Sequence, residues 1–181
     1  MKRLIRILQR IHSVSPDSDN LLCDDFEKAA GRHPDRVAVL FEGRTITYQQ
    51  LDVLANRYAH WGRARGLKPG DTVALFVPNR LDYIAIWLGM NKIGVITALI
   101  NNSLTGTGLA HCINISVSSL TIVDRTTLAA FQDIGGGLER HQALWCLDLD
   151  RAEETETCRS LDGALRGRIE RPPPTRRSAT A

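Results

Sequence analysis

The chain has 181 residues, of which 43% are hydrophobic and 24% are charged, a composition typical of a globular protein. No apolar run approaches the roughly 20 residues that span a bilayer, and the charged start lacks the apolar core and cleavage site of a secretory signal. The net charge of +3 combines two basic ends, residues 1–12 and 166–181, with an acidic body, which excludes a nucleic-acid-binding face built from clustered basic residues.

The first segment of the chain is basic and amphipathic. Four apolar residues share one face of a predicted helix: Leu4, Ile5, Leu8 and Ile11. Such a helix can lie on an anionic membrane surface or resemble an organelle-targeting segment, and it can equally dock on its own domain or fray. We expect residues 1–20 to form this segment and a linker, with peripheral membrane contact through residues 2–11 as the open alternative to a purely cytoplasmic protein.

A helix and a small hairpin follow the linker. Apolar spacing predicts the helix over residues 21–32, and the hairpin combines a strand over residues 37–41 with a returning strand over residues 45–47. Thr47 and Gln50 form a capping-box sequence, in which each side chain can satisfy a free backbone N–H at a helix start. A second helix is therefore expected from this point as far as about Gly66.

The stretch over residues 72–102 has the pattern of a strand, a crossover helix and a second strand. The strands, residues 73–77 and 95–100, are apolar throughout, which is typical of a parallel sheet covered on both faces. Five apolar residues form a stripe on the helix between them: Leu81, Ile84, Ala85, Leu88 and Ile93. We expect a right-handed β-α-β unit, with Asn79 capping the helix and Gly94 allowing a close passage into the second strand.

The remaining pattern continues the alternation of helices and strands. A helix is capped by Thr105 or Thr107, with Leu109, Cys112 and Ile113 directed inward. The further predictions are a strand over 120–123, a short helix over 125–134, a strand over 143–147 and a helical turn over 161–165. The predicted fold class is α/β, with β-α-β units and a mainly parallel sheet preceded by a small hairpin. We expect a partial α/β domain over residues 21–167 and a disordered Pro- and Arg-rich tail over residues 168–181.

The sequence gives little evidence for catalytic residues. Gly106 and Gly108 lack the third glycine of a dinucleotide fingerprint, and the run over residues 135–137 is interpreted as a flexible connector. His111 and Cys112 are adjacent on a predicted helix, so their side chains diverge by about 100° and do not form a nucleophile and base. We assign no catalytic, cofactor-binding or metal-binding residue.

The cysteines and the acidic residues also have simple interpretations. Four scattered cysteines, Cys23, Cys112, Cys146 and Cys158, are expected to be small buried thiols in a reducing compartment. An acidic run is expected to form a solvated face: Asp148, Asp150, Glu153, Glu154 and Glu156. Neither group has the spacing of a zinc or calcium site.

The order of several short motifs resembles the N-terminal region of AMP-forming acyl-CoA synthetases, in the adenylate-forming superfamily. These motifs are Thr47-Tyr48-Gln49-Gln50-Leu51, Ala55-Asn56-Arg57, residues 66–75 (GLKPGDTVAL), Pro78-Asn79 and Lys92-Ile93-Gly94. Residues 98–104 (ALINNSL), followed by Leu109-Ala110-His111-Cys112, look most like the fatty-acid-transport-protein, or very-long-chain acyl-CoA synthetase, branch. The resemblance runs from about Phe26 to Val123 and more loosely to Arg171.

This resemblance implies a parent enzyme that joins a fatty acid to CoA with ATP and magnesium. In the family, ATP is held by a Ser/Thr/Gly-rich loop and by later motifs, and a lysine of a C-terminal domain assists adenylation; these elements lie after the region seen here, so no family catalytic residue can be placed on this chain. The expected fold is the incomplete N-terminal region of a synthetase, inactive alone. The alternative is a non-enzymatic α/β module that binds a membrane or partner through its basic N-terminal helix.

Overall fold

The computed structural model describes residues 21–166. The predicted membrane-contacting segment and the predicted tail lie outside this range and remain predictions. The helices are α1 Leu22–Arg32, α2 Tyr48–Ala64, α3 Leu81–Lys92, α4 Gly106–Ile115, α5 Leu128–Asp133 and α6 Leu161–Leu165. The strands are β1 Val37–Phe41, β2 Arg44–Thr47, β3 Thr72–Phe76, β4 Ile96–Leu99, β5 Leu120–Asp124, β6 Ala143–Leu147 and β7 Cys158–Ser160.

Two sheets are formed within this range. Strands β1 and β2 pair antiparallel as the predicted hairpin, and five strands form a parallel sheet in the order β4-β3-β5-β6-β7. The chain begins this sheet at β3, moves outward to β4, and then crosses back to β5 on the other side of β3. The predicted α/β fold class with a mainly parallel sheet is confirmed.

The helices cover both faces of the parallel sheet. On one face, α2, α3 and α6 pack against Val73 and Leu75 of β3. On the other, α4 and α5 pack against Ala74 and Phe76 of the same strand. Successive side chains of a strand point to opposite faces, so an uninterrupted apolar strand supplies both cores.

The predicted capping box is present at the start of α2. The Gln50 backbone N–H donates to the Thr47 hydroxyl at 3.2 Å, and the Thr47 backbone N–H donates to the Gln50 side-chain oxygen at 3.0 Å. Both residues satisfy backbone groups that a helix start would otherwise leave free. This local motif links the hairpin directly to the longest helix.

Gly94 makes the predicted close passage between α3 and β4. Its φ of +76° lies in the left-handed region, and a Cβ built there would meet the Pro69 Cβ at 3.0 Å. The Gly70 backbone N–H donates to the Gly94 carbonyl at 2.9 Å. The turn before β3 and the turn before β4 are thereby held together.

The structure corrects several local expectations. Strand β4 lies at the edge of the sheet, so Ile96 and Leu99 are 56% and 46% exposed, although an uninterrupted apolar run predicted a strand covered on both faces. Strand β7 was not predicted, because only one of its three residues is apolar. The residue before α3 is Arg80, in place of the predicted cap Asn79, and no side-chain capping bond forms there.

The glycine run over residues 135–137 is also different from the expectation. It forms a short 3-10 helix, Gly135–Gly137, in place of a flexible connector. The Asn114 side-chain amide donates to the Gly137 carbonyl at 3.0 Å, which ties this turn to α4. A contact that reaches back 23 residues could not be read from the glycines themselves.

Candidate functional site

The carboxyl-terminal edge of the parallel sheet contains the crevice that most doubly wound folds use for ligands. Strands β4 and β5 flank β3 on opposite sides, and the helices that follow β3 and β4 cover opposite faces of the sheet. This reversal creates a crevice between the ends of β3 and β5, the usual ligand position in open parallel sheets. The segments that border it are the loop from Val77 to Arg80 and the turn from Asp124 to Thr127.

The Arg80 guanidinium lies at this edge of the sheet, among carboxylates at or after the ends of β3, β5 and β6. Its two Nη atoms donate to the two carboxylate oxygens of Asp148 at 2.5 and 3.2 Å, and its Nε donates to Asp82 at 3.2 Å. Asp124 lies 3.6 Å from Nη1. The hydrogen bonding of the guanidinium to Asp148 is the main reason that the pKa of Arg80 is raised, and the same interaction holds the pKa of Asp148 below its ordinary value.

Asp124 is buried and organises the turn after β5. One of its carboxylate oxygens accepts from the Thr126 N–H at 2.9 Å, the Thr127 N–H at 3.0 Å and the Thr126 hydroxyl at 2.7 Å. The Thr127 hydroxyl donates to the Phe76 carbonyl at 2.7 Å, so this turn is tied to the end of β3. The hydroxyls of Thr126 and Thr127 donate hydrogen bonds to Asp124 and to the Phe76 carbonyl, so neither is positioned as a nucleophile.

Asp82 and Asp162 extend the hydrogen-bond network around Arg80 and Asp148. Asp82 accepts a hydrogen bond from the Tyr58 hydroxyl at 2.8 Å, and Asp162 accepts one from the Asp148 backbone N–H at 2.6 Å. Burial, followed by the charge of Asp82, raises the pKa of Tyr58 well above its ordinary value. Tyr58 is therefore a neutral hydrogen-bond donor at physiological pH.

The numbers of carboxylate and guanidinium groups at this edge determine whether it can bind phosphate groups. Three carboxylates, those of Asp82, Asp124 and Asp148, lie within ion-pair distance of the single guanidinium of Arg80, and Asp162 adds a fourth negative charge beside Asp148. Arg125, the next cation along the edge, is itself paired with Glu153. A polyphosphate would be repelled by this excess of negative charge, so the residues present do not fit the phosphates of ATP. The arrangement fastens the ends of β3, β5 and β6 together.

The sequence-predicted residues are not brought together by the fold. His111 is exposed on α4, and its neighbour Cys112 is partly buried. The residues of the acidic run are all exposed, in agreement with a solvated face, and two of them also form ion pairs: Asp148 with Arg80 and Glu153 with Arg125. The sequence pattern did not predict a role for Arg80 or for Arg125. Arg80 and Arg125 both follow apolar strands, at the edge where an open parallel sheet usually binds its ligand. That position is the sequence signal that indicates them.

Three of the four cysteines are buried, as expected, and none forms a disulfide. Burial raises the pKa of the Cys146 thiol to about 12 and also raises that of Cys158. Cys112 is the partly exposed member. The buried thiols are inert at neutral pH, since the thiolate is the reactive form.

Residues 21–166 contain neither a membrane-spanning helix nor a clustered set of metal ligands. No helix there is long and apolar enough to cross a bilayer. No group of three or more His, Cys, Asp or Glu side chains in the same range is placed to hold a metal ion.

Comparison with known proteins identifies the family. The model of the AMP-binding enzyme family matches residues 26–180. The mouse long-chain fatty acid transport protein 6 is 32% identical over 123 residues, which cover 67% of this chain and 20% of the relative. A medium/long-chain fatty-acid–CoA ligase of Mycobacterium tuberculosis is 30% identical over 125 residues, 69% of this chain and 21% of the ligase.

The fold is shared with solved synthetases. The anthranilate CoA ligase AuaEII, in complex with anthranoyl-AMP, superposes with a TM-score of 0.74 and 19% identity. The match covers 82% of this chain and 28% of that one. This chain spans about a fifth of the length of the curated relatives it matches. Because the family model covers most of the chain and the fold agrees, this protein belongs to the AMP-binding enzyme family, with relatives among long-chain fatty acid transport proteins and fatty-acid–CoA ligases.

Proposed function

We propose that this chain forms the N-terminal scaffold of an AMP-forming long- or very-long-chain fatty-acyl-CoA ligase. The observation that carries the proposal is the family match over residues 26–180. The fatty-acid substrate is supported by the names of the relatives, a long-chain fatty acid transport protein and a medium/long-chain fatty-acid–CoA ligase. The parent reaction converts a fatty acid, ATP and CoA into acyl-CoA, AMP and pyrophosphate.

The contribution of this chain to that reaction is structural. The Arg80 cluster fastens three parallel strands at the edge where an open sheet usually binds its ligand. Its acidic balance does not suit phosphate groups, so ATP, magnesium and CoA would be held by other parts of the parent enzyme. The matched relatives are about five times as long as the matched region, which supports this division. We propose that the chain is inactive alone.

A fatty-acid-dependent ATP–pyrophosphate exchange assay tests this proposal. The purified chain is expected to give no exchange above a mock preparation, whereas the full-length M. tuberculosis relative serves as the positive control. Exchange by the purified chain at any rate above the mock would disprove the inactivity.

A chimera tests the scaffold role separately. Replacing the matching region of the mycobacterial ligase with residues 26–166 of this chain is expected to preserve measurable ligase activity. The matched control carries Gly89→Leu in the same chimera, which disrupts the packing of α2 on α3. A folded chimera without activity would count against the scaffold role.

Peripheral membrane contact is a second candidate function, and the basic amphipathic pattern of residues 2–11 favours it. Cosedimentation with vesicles that contain anionic lipid is expected to capture the chain at low salt. A variant with Lys2, Arg3, Arg6 and Arg10 changed to Gln should lose this binding. Equal capture of both proteins, or no capture of either, would contradict the contact.

A further inference from the structure

A second concave site lies at the opposite edge of the sheet. It is a cleft of about 320 Å³ beside the starts of β5, β6 and β7, where the carboxyl-terminal end of α2 approaches them. Its lining includes six polar or aromatic side chains: Arg65, His141, Gln142, Trp145, Glu156 and Arg159. The volume is at the lower end of the range for small-molecule sites, about 300–1,000 Å³.

Trp145 is the rigid floor of this cleft. Its indole meets Trp61 edge to face, with ring centroids 5.2 Å apart and an interplanar angle of 82°. The Arg65 guanidinium lies over the same ring, with its Cζ 5.1 Å from the centroid. A cation held on an aromatic face is restrained before any ligand arrives.

Arg159 adds a second arginine to the lining of the same cleft. In the parallel register of β6 and β7, Trp145 lies opposite Arg159. Directly opposed residues of neighbouring strands project from the same face of the sheet. Arg159 is exposed on an edge strand, so its side chain extends from the sheet face that also carries Trp145, and it lines the cleft together with Arg65.

The charges of these two arginines are uncompensated. Over residues 21–166, neither Arg65 nor Arg159 has a carboxylate within ion-pair distance, whereas Arg80 and Arg125 at the other edge are both paired. Glu156 lines the cleft without bonding to either guanidinium. Two like charges in one cleft repel each other, and an anion placed between them offsets that repulsion.

We propose that this cleft binds an oxyanion of the phosphoryl type between Arg65 and Arg159, on the floor made by Trp145. Guanidinium groups present paired N–H donors that match the oxygens of a phosphoryl group. The volume leaves room for a second phosphoryl group or a small organic substituent. This proposal is independent of the fatty-acid substrate, because it uses neither the Arg80 cluster nor any residue of the parent reaction.

Isothermal titration of the full 181-residue chain tests the proposal, with inorganic phosphate, pyrophosphate and citrate as probes at constant ionic strength. Saturable binding to one site is expected, with pyrophosphate tighter than phosphate because it can contact both arginines. Arg159→Gln is expected to weaken pyrophosphate binding about tenfold, the loss that accompanies one charge-assisted hydrogen bond. Arg65→Gln should weaken it by a similar factor.

Arg44→Gln is the matched control, because Arg44 is an exposed arginine on the remote hairpin. Its affinity for pyrophosphate should equal that of the unmodified chain. A melting curve for each variant shows whether a loss of binding accompanies a loss of folding, and Arg159→Gln is decisive because this side chain is exposed. Absence of saturable binding, equal effects of Arg159→Gln and Arg44→Gln, or tighter binding of citrate than of both phosphates would each overturn the phosphoryl assignment.

Discussion

Arg80 stabilises the ionised form of Asp148 through direct hydrogen bonds. The bond from its guanidinium is the main reason that the pKa of Asp148 lies below its ordinary value of 3.8. A carboxyl group whose pKa is lower in the folded chain than in the unfolded chain stabilises the fold above the unfolded pKa. That stabilisation is lost as the pH falls through the lowered pKa.

Asp148→Asn tests this linkage. The variant should unfold more easily at pH 7, by less than about 1 kcal/mol, because the Asp148 side chain is 55% exposed and solvent screens the pair. The difference from the unmodified chain should shrink as the pH falls from 3.8 through the lowered pKa, because the Asp148 carboxylate of the unmodified chain is then protonated as well. Urea unfolding between pH 7 and pH 3 measures both quantities.

Asp133→Asn is the control for this experiment, since Asp133 is exposed at the end of α5. A pH-independent difference for Asp148→Asn would contradict the assigned role of Arg80.

The thiols provide a second test at the level of single residues. Cys112 is partly exposed, whereas burial raises the pKa of Cys146 to about 12 and also that of Cys158, and Cys23 is 2% exposed. Ellman's reagent at pH 8 should therefore modify one thiol rapidly and the others only on unfolding. Cys112→Ser should abolish the rapid phase. Rapid reaction of more than one thiol in the native chain would contradict the burial of Cys23, Cys146 and Cys158.

At the scale of elements, helices α2 and α3 approach closely at Gly89. A Cβ at this position would lie 2.5 Å from the Ala55 carbonyl oxygen and 2.8 Å from the Tyr58 Cβ, so the two helices would have to separate. Gly89→Ala should lower the free energy of unfolding by about 2–3 kcal/mol. Urea unfolding followed by circular dichroism measures the change.

Gly31→Ala is the matched control within α1. No atom lies within 4 Å of a Cβ built at Gly31, and alanine has the higher helix propensity. This control should be neutral or stabilising by up to about 1 kcal/mol. Equal destabilisation by the two substitutions would refute the close approach at Gly89.

Lys92 joins three helices through a buried charge. Its side chain is 1% exposed, and its ammonium group pairs with Glu27 of α1 and with Asp52 of α2, the latter at 2.8 Å. Lys92→Met leaves both carboxylates without this partner and should cost about 2–3 kcal/mol, since one of them is only 21% exposed. Adding Glu27→Gln and Asp52→Asn should recover part of the loss, because no charge then remains unpaired.

Lys28→Met is the surface control for this set. Lys28 pairs with Asp25 on α1, and both side chains are more than half exposed. Its replacement should change the unfolding free energy by less than about 0.5 kcal/mol. If the triple variant is less stable than Lys92→Met alone, unpaired carboxylates are not the reason that Lys92→Met lowers the free energy of unfolding.

At the scale of the whole molecule, the exposed edge strand β4 is the main site at which we expect self-association. Among the described strands, β4 pairs only with β3, and Ile96 and Leu99 are half exposed beside its free backbone groups. Such an edge is a template for pairing with another chain. We expect the purified chain to self-associate, and Ile96→Lys with Leu99→Lys to reduce the association.

Light scattering after size exclusion measures this effect. Leu40→Lys is the control, because Leu40 is 68% exposed on the separate hairpin. A monomeric unmodified chain, or equal improvement by the control, would exclude β4 as the contact.

Local elements were predictable where short-range chemistry decides them. The bounds of β6 agree with the expectation, and the Thr47–Gln50 capping box forms as its spacing predicts. Strand β7 was missed because its three residues carry no periodic signal, and it forms through pairing with β6. The Arg80–Asp148 pair was missed because 68 residues separate its members.

The sequence by itself determined the alternation of strands and helices, the family resemblance and the residues that can enter a core. These properties depend on the hydrophobic period and on neighbours a few positions apart. Only the tertiary structure decided that apolar β4 lies at an edge, that Arg80 pairs with three carboxylates, and that Arg65 and Arg159 line one cleft with Trp145. Strand order and ion pairing join residues that are distant along the chain, so no local pattern records them.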